Sequence, residues 1–164
     1  MSKKKNGKRL KQAGLVSLIV IAIMVIVFLV YVSNYYHVQD RQAALESTDD
    51  VKVEEVDYGY FFDGPGNDTA LIFYPGAKVE DLAYASLLKQ LAADGIDCYL
   101  VHMPGNLAFM GMNRADKVME TYSYEHWYLV GHSLGGAMAA VYADKNSEKL
   151  DGLIFLAAYS TKDL

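Results

Sequence analysis

Between Ala13 and Val32 the chain runs for twenty residues without a charge, AGLVSLIVIAIMVIVFLVYV. In hydrocarbon no water is present to satisfy backbone N–H and C=O groups, so such a run is viable there only as a helix or in a closed barrel. As a helix rising about 1.5 Å per residue it reaches roughly 30 Å, the thickness of a bilayer's apolar core. A buried helix of this length in a water-soluble domain would carry a polar stripe, and this one carries none. A cleaved signal peptide has an apolar region of about 7–15 residues followed by small residues. Here the run is longer and leaves through the bulky Ser33-Asn-Tyr-Tyr-His37. The reading is an uncleaved single-pass anchor over 13–33, in contact with membrane lipid.

Charge sets its expected orientation. Residues 1–12 hold Lys3, Lys4, Lys5, Lys8, Arg9 and Lys11 and no acid. From residue 34 onward nine basic residues face all twenty acidic ones, a net of minus eleven. A basic flank before the span and almost none after it places 1–12 as a cytoplasmic tail and the rest of the chain outside the membrane. The acidic body lacks the electrostatic footprint of a nucleic-acid binder, so no nucleic-acid partner is expected. Residues 34–52 are polar and mixed in charge and read as a stalk; the folded domain is expected over 53–164.

Within that domain short apolar runs alternate with helical patterns. Val53 to Phe62 reads as an extended segment or hairpin ending in the turn cluster Asp63-Gly-Pro-Gly-Asn67; the sequon Asn67-Asp-Thr69 is read as part of that turn. Ala70–Tyr74, Ile96–His102, Trp127–Val130 and Gly152–Ala157 read as buried strands. Helices are expected over 79–93, 113–121 and 134–143, the first with the acids Glu80 and Asp81 in its first turn, apolar residues at three-and-four spacing and Gly95 as its stop. Strands apolar on both faces and alternating with helices predict an α/β class, a doubly wound and mostly parallel sheet covered on both sides. Sites in such sheets lie at the carboxyl ends of the strands.

Three segments fall at those ends. Gly131-His-Ser-Leu-Gly135 fits G-x-S-x-G between a strand and a helix that begins with small residues. In a nucleophile elbow the serine occupies a sharp strand-to-helix turn, and glycines flank it because side chains there would collide across the turn. Ser133 is therefore the candidate nucleophile, with Gly131 and Gly135 as the elbow glycines. The backbone N–H of the next residue, Leu134, is one candidate donor to a developing oxyanion. Tyr74-Pro-Gly-Ala-Lys78 follows an earlier strand, and the N–H of Ala77 is the candidate second donor. The apolar Met103–Met112 loop reads equally as a pocket lining or as packing. Cys98, the single cysteine, reads as a small core residue.

The order strand, Pro-Gly loop, helix, strand, Met-Pro loop, GHSLGG and alanine-rich helix resembles the α/β-hydrolase superfamily, and within it the dienelactone-hydrolase-like group with a serine nucleophile. The resemblance covers roughly 53–164. It implies a small-molecule substrate with an ester, thioester, lactone or amide bond, an acyl-enzyme mechanism, and neither metal nor cofactor. In that fold the triad order is Ser, then Asp or Glu, then His. The chain's histidines are His37, His102, His126 and His132, all before Ser133. His132, inside the elbow, is expected to point away from the serine. His102 ends a strand on the right edge but has no partner visible in sequence. Asp163 is the one acid after Ser133 placed on that edge. The expectation is a membrane-anchored serine hydrolase represented by an N-terminal portion, lacking acid and base and inactive as it stands. The alternatives are a non-catalytic anchored binding module and an acyltransferase on the same fold.

Overall fold

The computed structural model describes residues 2–66 and 68–162, with side chains from residue 11 onward. Asn67, the first residue of the sequon, and Asp163 lie outside the described residues. The chain forms two compact units, 1–34 and 35–164.

The first unit is one helix, α1 (Ser2–Ser33). Its Lys11–Ser33 portion is long and apolar enough to cross a membrane, and none of it is buried. The uncharged run lies wholly within this helix.

The second unit is built on one six-stranded sheet. β1 (Lys52–Val56) and β2 (Gly59–Asp63) form a hairpin. β3 (Thr69–Tyr74), β4 (Asp97–Val101), β5 (His126–His132) and β6 (Gly152–Leu156) follow in the order β1-β2-β4-β3-β5-β6. The four strands β4-β3-β5-β6 are mutually parallel; β2 pairs antiparallel with β4, and β1 antiparallel with β2. The helices divide between the two faces. Ile72, Tyr74, Tyr99, Val101 and Leu129 pack with residues of α4 (Arg114–Thr121) and α5 (Leu134–Asn146). Leu71, Phe73, Cys98, Leu100 and Val130 form the opposite core with α3 (Ala85–Ala93). Alternation along each strand produces this division, since successive side chains point to opposite faces. Cys98 is fully buried, and burial pushes its thiol pKa up, as expected of an inert core cysteine.

Three elements differ from the sequence reading. The helix expected over 79–93 is a 3-10 turn, Asp81–Tyr84, running into α3; Val79 and Glu80 stay extended because Val79 is bridged to Tyr36. β6 is not a buried strand: Ile154 is 43% exposed, and among the described residues β6 pairs with β5 alone, which leaves its other edge bare. The stretch 34–52 is tied to the domain. It contains α2 (Arg41–Leu45), capped by the Asp40 side chain at the Ala43 N–H, and it buries Ala44 and Val51 in the core beside α3. Its mixed polarity conceals an apolar side, Val38, Ala44, Leu45 and Val51, that meets the sheet.

Candidate active site

Register fixes how the carboxyl ends of the strands meet. Tyr74 on β3 stands opposite Gly131 on β5, so the Pro75–Ala77 loop and the turn after β5 leave the sheet side by side. Ser133 lies in that turn at φ 51°, ψ −120°, exposed, between the last residue of β5 and the first of α5. A non-glycine residue in this region is strained by on the order of 1–3 kcal/mol, which the surroundings must impose. They do so through the backbone: the Ser133 N–H donates to Leu156 O at 3.0 Å and its carbonyl accepts from Ala137 N at 3.2 Å. The Ser133 hydroxyl has no hydrogen-bond partner among the described residues.

The glycines explain why the turn can be this tight. A Cβ on Gly131 would lie 2.4 Å from Gly136 N and Cα. On Gly135 it would lie 2.1 Å from Tyr74 O and 2.5 Å from Pro75 O. On Gly136 it would meet the Ala158 Cβ at 2.4 Å. The first turn of α5 is thus pressed against both β5 and the loop after β3. Leu134, the first residue of α5, has an N–H with no intrahelical acceptor. Ala77 N likewise has no acceptor among the described residues, whereas its neighbours are engaged, Gly76 N to Tyr84 Oη at 3.1 Å and Lys78 N to Asn106 O at 2.8 Å. The Pro75–Ala77 loop and the start of α5 thus lie side by side, with Ser133 at the positive end of the α5 dipole.

His132 and His102 are each engaged by a residue of the Asp81–Tyr84 turn. His132 follows Val130 toward α3, and its Nδ1 is 2.9 Å from Tyr84 Oη. Gly76 packs against that ring, where a Cβ would come within 2.6 Å of Nδ1. His102 does have a partner: Asp81 Oδ2 is 2.8 Å from its Nδ1, and Asp81 is 5% exposed. Sequence reasoning took Asp81 as a first-turn helix acid; nothing in a spacing of twenty-one residues signals this pairing. His126 is at the opposite edge, 3.1 Å from Asp151 Oδ1.

The Met103–Met112 loop divides between the two readings given to it. Met103, Leu107 and Ala108 are buried, while Phe109 and Met110 are about half exposed. Tyr74, fully buried, holds the far end of the loop by donating to Met112 O at 2.5 Å and accepting from Ala115 N at 3.1 Å. Among the described residues no group of His, Cys, Asp and Glu is arranged to hold a metal ion.

A mixed sheet in this strand order, helices on both faces and a strained serine on the strand-to-helix turn after the fifth strand define an α/β-hydrolase fold. Residues 70–164 match the alpha/beta hydrolase family, and the chain belongs to it. Solved structures agree in fold. The thioesterase domain from the curacin biosynthetic pathway is 18% identical at a TM-score of 0.50, with 70% of this chain and 48% of that one covered. A carboxyl esterase from Bacillus coagulans is 15% identical at 0.51, covering 66% and 44%. An epoxide hydrolase from Vigna radiata is 11% identical at 0.52, covering 70% and 41%. The chain thus spans less than half the length of each of these relatives. No curated protein sequence matches it.

Proposed function

We propose that this chain is the nucleophile-bearing part of a serine hydrolase acting on ester-type bonds, held at a membrane by α1 with the N-terminus cytoplasmic and the domain outside. The conformation of Ser133 carries the reading: a strained, exposed serine on a glycine-lined turn, at the start of a helix, beside a loop with a free N–H. Attack by Ser133 Oγ on a carbonyl would place the oxyanion toward Leu134 N and Ala77 N. Such donors matter because they are preorganised; removing one typically costs about 10²–10³ in rate. Collapse of the tetrahedral species would leave an acyl-enzyme for water to cleave.

Proton transfer from Ser133 needs a base. His132 and His102 are both committed on the α3 side, to Tyr84 and to Asp81, and the sequence has no histidine after Ser133. Ester turnover by these 164 residues is therefore expected near background, with slow labelling of Ser133 by a fluorophosphonate probe. Labelling should disappear in Ser133→Ala. Persistence of the label in that variant would remove Ser133 from the mechanism. A triad-level rate from the wild-type chain would show that His102, His132 or a second chain acts as base.

A further inference from the structure

The loop that offers Ala77 N is held by a segment from before the domain's first strand. Tyr36 N donates to Lys78 O at 2.8 Å, and Glu80 N donates to Tyr36 O at 2.8 Å, a short parallel bridge between Tyr36 and Val79. Glu80 then returns its side chain to the same segment. Oε2 accepts from Val38 N at 2.9 Å, and Oε1 accepts from Arg41 Nη1 at 2.8 Å. Arg41 Nη2 continues to Tyr60 Oη on β2 at 2.7 Å, so the clasp is fastened to the sheet. The Glu80 side chain is only 15% exposed, so these bonds are shielded better than an ordinary surface pair. On its other side the loop is fixed to the segment that follows β4, through Lys78 N to Asn106 O and through Asp81 to His102.

We propose that residues 35–41, the first after the apolar helix in sequence, form a working wall of the oxyanion loop, with Glu80 as the positioning residue that joins them. This rests on the reading of Ala77 N as an oxyanion donor. A loop of this kind contains Lys78 at φ 58° and an unengaged N–H at Ala77; left to itself it would sample other conformations. The clasp selects the one in which Ala77 N stays beside the elbow. Residues 35–41 and the oxyanion loop are thereby one structural piece: a change that pulls 35–41 away releases the donor.

The test uses the full 164-residue chain in detergent micelles. In Glu80→Ala, hydrogen exchange at the amides of Lys78 and Glu80 should quicken by about tenfold or more, while amides of β3 and β5 keep their protection. Glu80→Gln retains an acceptor for Val38 N and should restore most of the protection. In fluorophosphonate labelling, Glu80→Ala should lower the limiting rate by on the order of tenfold or more with the probe's half-saturation concentration unchanged, and Glu80→Gln should recover it. Unchanged loop exchange in Glu80→Ala overturns the clasp, and so does faster exchange with an unaltered limiting rate of labelling. A wild-type chain that takes no label at Ser133 counts against the proposed hydrolase instead, and the exchange measurement still decides the clasp.

Discussion

At the scale of single residues, the elbow depends on what is missing from three α-carbons. Gly131, Gly135 and Gly136 each stand where a methyl group would enter backbone or a neighbouring side chain. Gly131→Ala is the cleanest probe, because the atoms in its way belong to the Gly136 backbone and cannot rotate aside. Overpacking of this kind costs typically 1–3 kcal/mol, and with backbone on the other side the upper end, about 3 kcal/mol, is expected. Urea unfolding should show a lower midpoint with an unchanged slope; a loss below about 1 kcal/mol would mean the turn can widen. This part of the site was legible from sequence because every contact in it is local. The motif G-x-S-x-G-G writes out both sides of one turn. The Asp81–His102 pair was not legible. Its members are twenty-one residues apart on different elements, and Asp81 suited a helix start equally well. Glu80 was hidden in the same way, since its partners Val38 and Arg41 lie in a stretch whose composition reads as linker.

At the scale of elements, β3, β4 and β5 are held on both faces, whereas β6 is fixed along one edge. Asp151 helps to set that edge. Its N–H donates to Trp127 O at 2.8 Å, its Oδ2 accepts from Trp127 N at 2.8 Å, and its Oδ1 meets His126 Nδ1. The hydrogen bond with Asp151 raises the His126 pKa above its ordinary 6.5, against a smaller effect of desolvation. The backbone bond from Trp127, then that with His126, lower the Asp151 pKa below 3.8. For a raised histidine the contribution to stability is complete below its unfolded pKa and lost as pH climbs through the folded value; for a lowered carboxylate it is present above the unfolded pKa and lost as pH falls through the folded value. The pair therefore supports the β5–β6 junction most between about pH 4 and 6.5. Melting temperatures of wild type and His126→Gln should differ most in that window and converge as pH rises beyond the raised histidine value. A gap independent of pH would assign the effect to packing rather than charge. The gap should be small, because both groups are exposed and screened by solvent. The strand and helix periods that announce β3 to β6 contain no trace of this junction. Periodicity reports which face is apolar and is silent on which charges meet at strand ends, and it misread β6, whose apolar residues suit a covered strand although one edge is open.

At the scale of the whole molecule, that open edge sets how the chain behaves in concentrated solution. An unpaired strand presents a row of free N–H and C=O groups, and an apolar one invites pairing with another chain. Among the described residues β6 has no neighbour beyond β5, and Ile154 in its middle is 43% exposed. Natural edge strands are commonly protected by a charged residue at such a place, and lysine serves well because its stem covers apolar surface while its amine stays in water. Ile154→Lys in the full chain, kept in detergent so that α1 remains covered, should raise the protein concentration at which light scattering begins, by roughly threefold or more. Its unfolding free energy should change by less than about 1 kcal/mol, since the site is substantially exposed. Leu87→Lys provides the comparison. Leu87 is 39% exposed, nearly as open as Ile154, but it lies on α3, whose backbone groups are satisfied within the helix. If exposed apolar area alone drives association, both substitutions delay scattering alike. If the bare backbone edge drives it, only Ile154→Lys does. An onset unmoved by Ile154→Lys would show that molecules associate through another surface, of which the half-exposed Phe109–Met110 pair is the next to be substituted.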